Sequence, residues 1–124
     1  MNDPITEIER LFKECMKEER PNALADLRIE LTYQLGRLGK MLPDAEARMS
    51  EVKHEELTRY LELRKAKSTI EDAKHTAKWE SMPSLIQAER EYTLFRQYLA
   101  NGSEMLNAIS SKLRTLELEA KNQA

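Results

Sequence analysis

Residues 85–120 read LIQAEREYTLFRQYLANGSEMLNAISSKLRTLELEA. Within them Leu85, Ala88, Tyr92, Phe95, Leu99, Gly102, Leu106, Ile109, Leu113, Leu116 and Ala120 fall alternately three and four apart, and every one is small or apolar. This is a heptad seam, the pattern of a helix that meets another helix along its length. It passes through Asn101-Gly102, a pair more often found in turns, so Gly102 is expected to mark a close crossing inside a continuous helix.

A second seam precedes it. Leu31, Leu35, Leu38, Leu42, Ala45, Met49 and Val52 keep the same spacing, meet Glu56 and Arg59, and resume at Leu63, Ala66, Ile70, Ala73 and Ala77. Leu57, Tyr60 and Leu61 offer a shifted stripe across the gap. Gly36 and Gly39 each weaken a helix by about 1 kcal/mol relative to alanine, which fits positions crossed closely by a neighbour. Pro43 either kinks this helix or divides it, and the unbroken phase favours a kink. Ser68 followed by Glu71 has the form of a capping box, so a break near Ser68 and a short helix to about Trp79 are also open. Ser81-Met82-Pro83-Ser84 is expected to be a loop.

At the N-terminus Asp3-Pro4 should cap and start a helix. Ile5, Ile8, Leu11, Phe12, Cys15 and Met16 give it one apolar face, and Pro21 should stop it near Arg20. Asn22 is then available to cap the next helix. The expected fold is all-α. It is an elongated antiparallel hairpin of two long helices, 22–80 and 84–121, with a short helix at 3–20, in one domain. Residues 122–124 are expected to fray.

Composition agrees. Charged residues make up 34% of the 124-residue chain and aromatics 6%, with three glycines and four prolines, which suits amphipathic helices and not a sheet sandwich. The net charge of −2 gives no overall pull toward nucleic acid or anionic lipid, so any basic site must be local. One cysteine, Cys15, permits no internal disulfide, and the chain begins without the basic and apolar runs of a signal peptide. With no run able to span a bilayer, a cytoplasmic protein is expected, with no membrane partner.

Charge is concentrated. Residues 57–78 hold Arg59, Arg64, Lys65, Lys67, Lys74 and Lys78 against three acids, while residues 1–56 are net acidic. Tyr60 lies in the basic stretch and Trp79 adjoins it. Cations that neutralise phosphates, interleaved with rings that stack bases, are what a single-stranded nucleic-acid surface needs. Lys112, beside Ser110 and Ser111, could add a second strip, although a solvated lysine-rich face explains the same residues.

Other constellations carry less. Glu51–His54 and Asp72–His75 have the carboxylate-x-x-histidine spacing of di-iron bundles, but the seam uses Val52 and Ala73, which leaves these side chains beside it. The acid pairs Glu18-Glu19, Glu55-Glu56 and Glu71-Asp72 lack the spacing of helical nucleotide pyrophosphatases. No cofactor, no metal and no enzymatic activity is expected. Phe12, Met16, Leu94 and Tyr98 widen the apolar faces beyond what one partner covers, so the N-terminal helix or another subunit should lie over them, with a homo-oligomer as the outcome in the second case.

The order of elements resembles a family. Leu35-Gly-Arg-Leu38-Gly-Lys-Met41-Leu42, then Tyr60-Leu-Glu-Leu-Arg64-Lys-Ala-Lys67, Lys78-Trp79-Glu80, Tyr92-Thr-Leu-Phe95-Arg-Gln-Tyr98-Leu and Asn107-Ala-Ile-Ser110-Ser-Lys112-Leu113 are similar in pattern to the phage recombination mediators of the UvsY type. The resemblance implies a helical, ring-forming phage or prophage protein that binds single-stranded DNA beside a recombinase and a single-strand binding protein. It places basic contacts at Arg64, Lys65, Lys67, Ser111 and Lys112. The competing expectation is a helical scaffold or assembly protein acting only through protein contacts.

Overall fold

The computed structural model describes residues 3–123. They form α1 (Pro4–Lys17), α2 (Pro21–Lys65) and α3 (Ile70–Gln123), with no strand among the described residues. The fold is all-α, with α2 and α3 as the antiparallel arms of a hairpin and α1 as the short additional helix. No helix among the described residues is long and apolar enough to cross a membrane.

Asp3 caps α1, its carboxylate accepting from the Ile5 N–H at 3.4 Å, with Pro4 at the first helical position. The helix ends at Lys17, three residues before the expected stop. Glu18 turns extended, and its carboxylate accepts from the backbone N–H of Arg20 at 3.0 Å and from Arg20 Nε at 2.8 Å. The cap of α2 is Arg20 and not Asn22, because Pro21 occupies the first helical position and the Arg20 carbonyl accepts from the Leu24 N–H at 2.9 Å.

The larger correction concerns the hairpin turn. It lies at residues 66–69, while the segment expected to be a loop, Ser81–Ser84, is helical, as is the stretch assigned to the end of the second helix. Lys67 adopts a left-handed conformation (φ 68°), with the Lys67 N–H donating to the Arg64 carbonyl and the Ser68 N–H to the Leu63 carbonyl, both at 3.1 Å. This paired bonding closes α2 as a Schellman motif. Thr69 then caps α3, accepting from the Asp72 N–H at 3.2 Å, one residue later than the Ser68–Glu71 box. The seam read through Leu63, Ala66, Ile70, Ala73 and Ala77 is therefore two stripes. Ala66 and Ile70 are exposed at the turn, and Ala73 and Ala77 are buried on α3.

Both internal prolines sit inside helices, so Pro43 does not divide α2. Pro83 falls where Ala73, Ala77, Ser81 and Leu85 are four apart before the three–four alternation resumes at Ala88. Such a stutter locally unwinds a coiled coil. α3 continues through the residues expected to fray as far as Gln123, and Ala124 lies outside the described residues, as do Met1 and Asn2.

The chain divides into two compact units. The first, up to Met41 and from Phe95 onward, contains α1 and the outer parts of α2 and α3. Its core is large and apolar: Ile8, Leu11 and Cys15 from α1, Leu24, Leu31 and Leu38 from α2, and Phe95 and Ile109 from α3. Gly102 is buried here, and a Cβ on it would stand 2.8 Å from Leu35 Cδ2, so the crossing expected at this glycine is real. Gly39 has only an ordinary contact with Leu99, and Gly36 faces open space. The third helix expected over Tyr98 is α1: the Tyr98 hydroxyl donates to Glu9, which raises the phenol pKa.

The second unit, Leu42–Leu94, is a two-helix layer whose buried apolar residues are alanines: Ala45, Ala73, Ala77 and Ala88. Alanines let helices approach closely, while two helices alone cannot enclose large side chains. Met49, Val52, Tyr60, Leu63 and Tyr92 are only half-buried as a result.

Candidate nucleic-acid interface

The two sides of the α2 stripe in the second unit differ in charge. Successive helical residues turn by about 100°, so Lys53 lies on one side of Val52, and Glu51 and Glu55 lie on the other. On the acidic side the cations are spent across the helices. Arg48 pairs with Glu91 at 2.8 Å, and Arg59 reaches Glu80 at 2.8 Å and Glu62 at 3.4 Å. The gap in the seam at Glu56 and Arg59 is thus closed by a cross-helix ion pair. A groove of about 250 Å³ on this side is lined by Arg48, Glu51, Val52, Glu55, Ser84, Gln87, Ala88 and Glu91.

The other side holds a groove of about 350 Å³ lined by Lys53, Glu56, Leu57, Tyr60, Lys74, Ala77 and Lys78. Lys53, Leu57 and Tyr60 project from α2 at spacings of four and three, and Lys74 and Lys78 from α3 one turn apart. Ala77 supplies a small floor. The three lysines are exposed and join no ion pair among the described residues. Glu56, half-buried, is the single acid of the lining. Three exposed cations around an apolar, ring-bearing floor can hold an anionic chain whose flat groups stack on Tyr60.

Of the residues expected to bind nucleic acid, Tyr60, Lys74 and Lys78 come together in this groove. Lys65 and Lys67 are exposed at the turn end of the same unit. Arg64 donates to the Ser68 carbonyl at 2.9 Å and so braces the turn. Arg59 is held by Glu80 on the other side. Trp79 is 69% exposed, about 100° round α3 from Lys78 and away from the Ala77 seam. Lys112 belongs to the first unit, where its Nζ donates to the carbonyls of Cys15 at 2.8 Å and Met16 at 2.7 Å, capping the end of α1. Lys53 was missed, although its spacing to Leu57 and Tyr60 is visible in the sequence.

Of the residues expected at an oligomer interface, Phe12 is half-buried and Tyr98 is covered by its bond to α1, while Met16 and Leu94 are 42% and 41% exposed. Glu51, His54, Asp72 and His75 are exposed, and no group of three or more potential metal ligands converges among the described residues. Cys15 is buried, and loss of solvent pushes its thiol pKa up, the state of a small apolar residue and not of a nucleophile. No protein-family model, curated protein or solved structure matches the chain.

Proposed function

We propose that this protein is a non-enzymatic accessory factor that binds single-stranded nucleic acid along the basic side of its second unit. The observation that supports this most is the convergence of Lys53, Lys74 and Lys78 on the Tyr60–Leu57 groove, with their charge uncancelled by ion pairs among the described residues. Lysines contact phosphates as point charges without reading bases, and a ring stacks on any base, so binding is sequence-tolerant. Lys65 and Lys67 extend the cationic surface toward the turn. One such patch binds weakly, and repetition in an oligomer raises the apparent affinity. The setting implied by the resemblance is phage-type recombination or replication in a bacterial cytoplasm, beside a recombinase or single-strand binding protein.

Fluorescence anisotropy with a labelled oligothymidine at low salt tests the reading. Binding should be present in the native chain and lost when Lys53, Lys74 and Lys78 are all changed to Glu. Glu56→Gln, which removes the one acid of the groove, should strengthen binding severalfold. Absence of binding at low salt contradicts the proposal. The scaffold reading is favoured by Ile70 and Trp79, exposed at 50% and 69% near the turn, and it predicts no salt-sensitive nucleic-acid binding.

A further inference from the structure

On α2, Ile29 and Tyr33 stand one turn apart with 67% and 66% of their surface exposed. One turn further, Gly36 faces open space, with nothing but its own stretch of helix within 4 Å of where a Cβ would lie, among the described residues. A glycine inside a helix is less favourable than alanine, and no contact among the described residues uses the room it makes. The charges on this face are ordered. Asp26 and Glu30 precede Tyr33, and Arg37 and Lys40 follow it.

We propose that this face is the contact between two copies of the chain, with α2 packed antiparallel on α2 about a two-fold axis near Tyr33. Turned end for end, the acidic half of the stripe meets the basic half. Asp26 then faces the partner's Lys40 and Glu30 the partner's Arg37, while Ile29 enters the space beside the partner's Gly36 and the two Tyr33 rings meet. A two-fold contact requires a patch that complements itself, and this charge order does so only in the antiparallel sense. A parallel pairing would set acid on acid and base on base. Arg37 keeps its 2.9 Å bond to Gln34, one turn back on the same helix. None of these residues belongs to the groove assigned to nucleic acid, so the two proposals stand or fall separately.

Sedimentation equilibrium of the full chain over the micromolar to millimolar range is the test. The native chain should form a dimer, and Tyr33→Asp should raise its dissociation constant at least tenfold. Asp26→Lys and Lys40→Asp should each weaken the dimer, and the two together should restore it to within a few-fold of native. All these side chains are exposed, and circular dichroism on each variant verifies the fold. A monomer at the highest concentration overturns the proposal. So does a dimer that Tyr33→Asp leaves intact, or a double charge swap weaker than either single change.

Discussion

Lys67 carries the backbone conformation that ends α2. At φ 68° a side chain crowds the following carbonyl, and glycine does not. Lys67→Gly should therefore raise stability by about 1 kcal/mol in chemical unfolding, and equal or lower stability would contradict the assigned motif. No sequence signal marks this residue as the turn, because the position that most often holds glycine holds lysine here. Glu18 fixes the other link. Hydrogen bonds from the Arg20 side chain and then its backbone N–H hold the Glu18 carboxyl down at about 2. The carboxylate's contribution is complete above the ordinary carboxylate range and fades as pH falls toward about 2. Thermal unfolding of Glu18→Gln should be below native at pH 6, with the gap closing as pH falls through about 2.

At the scale of elements, the heptads of α3 were legible from Leu85 onward. Ten of the eleven positions from Leu85 to Leu116 and Ala120 are buried or half-buried, and only Ala120 is exposed. The turn was not legible, for two opposed physical reasons. Ser81-Met82-Pro83-Ser84 has loop composition, yet Ser81, Met82 and Leu85 are half-buried, and packing holds the helix through the proline. Lys65-Ala66-Lys67 has helix-forming composition, yet the N–H groups of Lys67 and Ser68 turn back to the carbonyls of Arg64 and Leu63 and end the helix. The glycines divide by what surrounds them. Gly39→Ala adds helix propensity with only a 3.9 Å contact to Leu99 and should gain about 1 kcal/mol. Gly102→Ala must displace Leu35 from 2.8 Å and should show no such gain, while Gly102→Leu should cost about 3 kcal/mol by overpacking. Chemical unfolding of the three variants orders them, and a gain for Gly102→Ala equal to that for Gly39→Ala would contradict the close crossing.

At the scale of the whole molecule, net charge conceals the feature that matters. The excess of bases in residues 57–78 was legible, but its separation into two sides was not, since that depends on which cations find carboxylates across the helices. Arg59 and Arg48 are taken by Glu80 and Glu91, whereas Lys53, Lys74 and Lys78 meet no such partner among the described residues. The alanine core of the second unit leaves Tyr60 half-buried between them. The salt dependence of oligothymidine binding tests the functional proposal most directly, because each phosphate contact adds about −0.7 to the slope of log K against log salt for single strands. Three lysine contacts give a slope of about −2 or steeper. The slope should become shallower by about 2 when Lys53, Lys74 and Lys78 become Gln, and should be unchanged when Arg48 and Arg59 become Gln. A slope that survives the lysine changes, or vanishes with the arginine changes, would contradict the assignment of the basic groove as the nucleic-acid site.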